Sequence, residues 1–192
     1  MKRASFLARL VALGLAAGHP SAPASPAPCA AAHCWRRLAS RLPVRRLPLN
    51  PQQLTGEWHM AETESDLSGN TLYFFADGRF AASEWADILP ETLTDLGHWR
   101  IEENVVFVSP DPRVTWTTQR DRRFLLLALP GVGGPARLLG LDDSLQFLEE
   151  KGFTLDWLRF LAYQRARSWP AGQASAEWQR VMRAWRPSFF RS

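Results

Sequence analysis

The chain has 192 residues, 23 basic and 19 acidic, and its formal charge of +4 is too small to argue by itself for a polyanionic partner, so no nucleic acid is expected. Its length suits one domain with a real core, and not two. The apolar run Leu10–Gly18 falls well short of the ~20 residues that cross a bilayer as a helix, and no later segment does better, which makes a permanent helical anchor the poorer reading.

In chain order, Lys2, Arg3 and Arg9 precede or border that run without an acid, the pattern of a secretory signal peptide over residues 1–24. Ala22-Pro23-Ala24 offers small residues for cleavage before Ser25, and Ala16-Ala17-Gly18 is a second site. The expected location is periplasmic or secreted, with a charge near +1 once the leader is gone. Pro26-Ala27-Pro28 before Cys29 does not resemble a lipid-attachment box.

Residues 25–51 read as a Pro/Ala/Arg-rich linker. Cys29 and Cys34 are close enough for a local disulfide, expected in an oxidising compartment. His33 is one ligand too lonely for zinc, and no His directly follows Cys34 as covalent haem attachment requires, so no cofactor and no metal are expected. Residues 34–42 predict a short basic helix, broken at Pro43, Pro48 and Pro51.

Residues 52–152 are expected to form the main domain. Eight short runs predict strands: 54–60, 71–75, 79–85, 97–102, 105–109, 114–119, 124–129 and 137–141. Ala76-Asp77-Gly78-Arg79 is the clearest hairpin turn, and Glu103-Asn104 and Arg120-Asp121 are weaker ones. Short strands in sequential hairpins predict a mainly β fold, an antiparallel up-and-down β-barrel, because closure removes exposed edges. Residues 144–151 read as a ninth strand in preference to a short helix. Residues 153–192 predict a basic amphipathic helical tail: Thr154 caps a helix over 155–167, and a second helix over 175–186 ends at Pro187. Trp178, Val181, Met182 and Trp185 fall on one face of that second helix.

Three strings belong together: Leu54-Thr55-Gly56-Glu57-Trp58, Leu72 to Phe80 around the Asp77-Gly78 turn, and Gly97-His98-Trp99-Arg100-Ile101. They resemble the opening strand, first hairpin and later Gly-x-Trp strand of bacterial lipocalin-like proteins, a subset of the calycin barrels. The resemblance covers residues 54–141. It implies a small apolar ligand inside the barrel, with Trp58, Phe74, Phe80, Trp99 and Trp116 as wall candidates, or else a purely structural barrel. Two features depart from the family: no Thr-Asp-Tyr follows Trp58, and the late Arg that packs on the Trp is either Arg137 or a tail residue.

Catalytic signatures are missing: the sequence has no Gly-x-Ser-x-Gly elbow, no phosphate-cradling loop after a strand and no His-Glu-x-x-His. The chain is therefore expected not to be an enzyme. Glu57, His59 and His98 neighbour the two tryptophans, but two histidines and one carboxylate fall short of a ligand set. Acidic pairs such as Asp142-Asp143 read as solvated surface. Charge is segregated, with Arg36, Arg37, Arg41, Arg45 and Arg46 before an acidic middle and seven Arg after residue 155. Such flanks either fold back onto the body or reach an envelope protein or anionic membrane surface. For the tail, docking on the barrel wall is preferred. The expected function is an exported barrel binding a small apolar ligand in the cell envelope. The alternative is an interaction or inhibitor protein that uses a filled barrel as scaffold and presents loops 86–96 or 131–135.

Overall fold

A computed structural model describes residues 31–60, 68–86, 89–114, 121–130, 136–169 and 172–189. The expected signal peptide, Cys29, Trp116 and loop 131–135 lie outside the described residues, as does nearly all of the strand expected over 114–119.

The chain opens with helix α1 (Ala31–Ala39), a two-residue strand β1 (Arg45–Arg46) and the single turn α2 (Pro51–Leu54). Asn50 caps α2 in a reciprocal box: its Oδ1 accepts from Gln53 N at 2.9 Å while its own N–H donates to Gln53 Oε1. Strands β2 (Gly56–Met60), β3 (Ser68–Phe74), β4 (Arg79–Ala86), β5 (Leu89–Glu102), β6 (Val105–Pro110), β7 (Arg122–Ala128) and β8 (Arg137–Gly140) follow. Each pairs antiparallel with the next, and β9 (Ala162–Ser168) pairs with both β8 and β2. The result is a closed, eight-stranded, up-and-down barrel, the fold class expected from the short-strand pattern. Strand β1 adds to the edge of β7 beyond the reach of β6, with Arg45 opposite Ala128.

The turn chemistry explains the hairpins. Gly78 sits at φ +85° between β3 and β4, and Glu103 and Asn104 both take positive φ between β5 and β6, as a tight hairpin turn demands. The two Gly-x-Trp glycines serve close strand approach: a Cβ on Gly56 would stand 2.0 Å from the Arg167 carbonyl oxygen, and one on Gly97 2.2 Å from that of Ser109.

Several expected elements differ. Residues 144–151 belong to a helix, α3 (Leu141–Lys151), because Leu141, Leu145 and Leu148 recur at helical spacing and are buried together. The helix expected over 155–167 ends early: Thr154 does cap α4 (Leu155–Leu161), accepting from Trp157 N, but the chain then extends into β9. The barrel accordingly runs to Ser168, beyond the boundary at 152. Residues 89–96, expected as a loop, form the first half of β5, with register shifts against β4 that let the strand bend. The last helix, α5 (Ala174–Phe189), continues through Pro187.

Both basic flanks fold back where they are described. On the outer face of β7 and β8, Cys34 and Leu38 of α1 are buried with Leu145 and Leu148 of α3 and Leu158 of α4, and Arg37 pairs with Glu149 at 2.7 Å. Cys34 is disulfide-bonded. On another part of the wall, Val181, Trp178 and Met182 of α5 pack on Tyr73, Phe75, Leu93 and Trp169. There the Trp178 ring lies 5.1 Å from that of Phe75 and 4.2 Å beneath the Arg79 guanidinium, while Arg180 bridges to Glu57. The apolar stripe of the tail is thus spent on the barrel; the side chain of Trp185 lies outside the described residues.

Candidate functional site

The barrel interior divides into two zones. The end reached by α2 is filled with aromatic side chains. Trp58 is 1% exposed and donates its indole N–H to the Leu54 carbonyl at 2.7 Å. Trp99 donates to the Phe75 carbonyl at 2.9 Å. Phe74 stands at the centre, its ring 5.1 Å from Phe80, 6.1 Å from Trp99 and 6.0 Å from Phe124. Trp58, Phe74, Phe80 and Trp99, the expected wall residues, do converge, but they occupy the space they were expected to line.

Arg165 closes this end. Inward on β9, its guanidinium lies 5.3 Å from the Trp58 ring and donates through Nη2 to the carbonyls of Gln52 at 3.0 Å and Thr55 at 2.9 Å. The late arginine is therefore Arg165, not Arg137. The last strand so clasps the segment that enters the first.

At the opposite end the inward rows turn polar. Continuing each strand by two residues carries β2 from Trp58 to Met60, β3 from Leu72 to Asn70 and β4 from Ala82 to Glu84, while β7 runs back from Phe124 to Arg122. These residues, with Asp121, Asp142, Asp143 and Tyr163, line a pocket of about 250 Å³ at the mouth. Arg122 pairs with Asp95, which is buried on the inner face of β5, and Arg123 pairs with Asp142. Asp142 and Asp143 occupy the first turn of α3, where the helix N-terminus favours negative charge. Five carboxylates thus stand in or beside the pocket against two guanidiniums, each already in an ion pair.

Tyr163 forms part of the floor, its ring 6.5 Å from and edge-on to Phe124. Burial pushes its phenol up to about 12, with Arg122 pulling down and Asp143 and Glu84 pushing further up. Those contributions place both carboxylates within electrostatic reach of the hydroxyl.

The remaining sequence candidates do not assemble. Glu57 faces outward to Arg180, and His98 is exposed on β5, with two strands between them in the sheet. No group of three or more metal-capable side chains occurs among the described residues, and no helix among them is long and apolar enough to cross a membrane. Sequence reasoning missed the mouth residues Asn70, Glu84, Asp95, Arg122 and Tyr163. For Asn70 and Glu84 the signal was available, since both sit two residues beyond inward apolar positions. Comparison with protein-family models, curated proteins and solved structures finds no match.

Proposed function

We propose that the chain is an exported, non-catalytic lipocalin-like barrel that holds a small polar molecule in its mouth. The observation that carries this reading is the 250 Å³ mouth pocket, where charged side chains such as Glu84, Asp121 and Arg122 stand among apolar ones such as Met60 and Leu161, while the other end of the barrel is packed with aromatic rings. That volume equals roughly eight waters at ~30 Å³ each and lies just under the ~300–1,000 Å³ usual for ligand sites, so it suits a small molecule. An apolar ligand among Trp58, Phe74, Phe80 and Trp99 is the weaker proposal, because Phe80 and Trp99 pack on Phe74 and Trp58 is itself buried in the same core. The disulfide at Cys34 supports export to an oxidising compartment. A second reading, a filled scaffold that presents a recognition surface, draws support from Trp157 and Phe160 on α4, each 38% exposed.

Gly140 provides the test. It lines the pocket with φ −67°, which any residue adopts, and a Cβ there would make ordinary contact with Phe124 at 3.6 Å, so Gly140→Phe plugs the mouth without backbone strain. Small polar compounds that raise the Tm of the wild-type protein should leave that of Gly140→Phe unchanged. Equal shifts in both proteins, or saturable tryptophan quenching by fatty acids in both, would place the ligand elsewhere.

A further inference from the structure

Resting on the mouth-pocket reading, we infer that the ligand is a small organic cation, a primary ammonium on an aromatic or short aliphatic body. The charges that remain at the mouth after the internal pairs are formed are negative. Arg122 is held by Asp95 and Arg123 by Asp142, so the positive charge of both is matched within the protein. Glu84 and Asp121, by contrast, are exposed at the rim and form no salt bridge among the described residues.

The floor adds an independent observation. The half-buried Tyr163 lines the pocket and its phenol makes no hydrogen bond among the described residues, so its oxygen is open to accept from a donor there. An ammonium carries three donors and no acceptor, which matches the two rim carboxylates and the phenol oxygen. The rings of Tyr163 and Phe124 supply the aromatic faces on which a cation or the ligand body rests. A negative pocket with low-dielectric walls also concentrates cations before they bind.

The experiment is titration calorimetry of the purified protein with three compounds of one shape: 2-phenylethylamine, 2-phenylethanol and 3-phenylpropionate. The amine should bind, its affinity should fall with salt, and Glu84→Gln and Asp121→Asn should each weaken it about tenfold. Tyr163→Phe should weaken it several-fold. Glu84 and Asp121 are exposed, so these variants should keep the wild-type Tm, which separates lost binding from lost folding. If the alcohol or the carboxylate binds as well as the amine, and Gly140→Phe abolishes it, the mouth is the site and the cationic inference is overturned. Amine binding that survives Gly140→Phe overturns the mouth reading itself. Binding of none of the three overturns both.

Discussion

Replacing Arg165 by Ala tests the clasp between the two ends of the barrel sequence. Arg165 makes two hydrogen bonds to backbone carbonyls more than 100 residues earlier, at 3.0 and 2.9 Å, and stacks over Trp58 at 5.3 Å. A charged donor contributes about 1.5–3 kcal/mol per hydrogen bond, and a cation over an aromatic face about 0.5–2 kcal/mol. The Gln52 bond is solvent-exposed and contributes at the low end, so the loss amounts to about 2–4 kcal/mol. In a chain of this length that lowers Tm by about 5–15 °C. Arg165→Lys should recover less than half of the loss, because an ammonium cannot bridge two carbonyls and stack in one planar geometry. Urea unfolding followed by tryptophan fluorescence measures both variants. An Arg165→Ala midpoint within 0.5 kcal/mol of wild type, at an unchanged slope (about the effect of an ordinary surface substitution), would falsify the clasp.

Gly97→Ala should destabilise by about 2 kcal/mol or more, because its Cβ would meet a backbone oxygen at 2.2 Å, whereas Gly140→Ala, with 3.6 Å of clearance to a side chain, should be near neutral in the same assay. Truncation after Gly172 should cost about 3–5 kcal/mol and raise dye binding, since it uncovers the wall beneath Trp178, Val181 and Met182; an unchanged melt would mean the helix is not docked in solution. Stability should fall as pH rises from about 10 toward 12. The phenols of Tyr73 and Tyr163 are both raised, first by burial, so the unfolded chain loses those protons first and the stabilisation, complete below pH ~10, is lost as pH climbs through the folded values. The slope is at most about 1.4 kcal/mol per pH unit for each group, and Tyr163→Phe should flatten it.

The barrel was legible because its strands obey simple chemistry. Gly78, Glu103 and Asn104 sit where the backbone needs positive φ, and the Gly-x-Trp pairs occur where strands crowd and an indole turns inward. What escaped the sequence was polar. Strand β9 reads as the continuation of a helix because Tyr163 and Arg165, its inward residues, serve the mouth and the clasp and break the apolar-in, polar-out alternation. The first half of β5 was hidden for the same reason: Glu91 accepts from Tyr73 and Ser83 on the outer face, Asp95 is turned inward to Arg122, and the bulges offset the period. Asp142-Asp143 passed for surface because the strand reading sent them to opposite faces, whereas the first turn of α3 turns both toward the mouth.

The central claim, that the ligand seat is the polar mouth and not the aromatic interior, is tested most directly by amide and indole NMR shift mapping during titration with 2-phenylethylamine and, separately, with a fatty acid. The account predicts that the amine moves Asn70, Glu84, Asp121 and Tyr163 while the indole signals of Trp58 and Trp99 stay in place, and that the fatty acid moves neither set. Saturable shifts of the Trp58 and Trp99 indoles with the fatty acid, and none at the mouth with the amine, would contradict it.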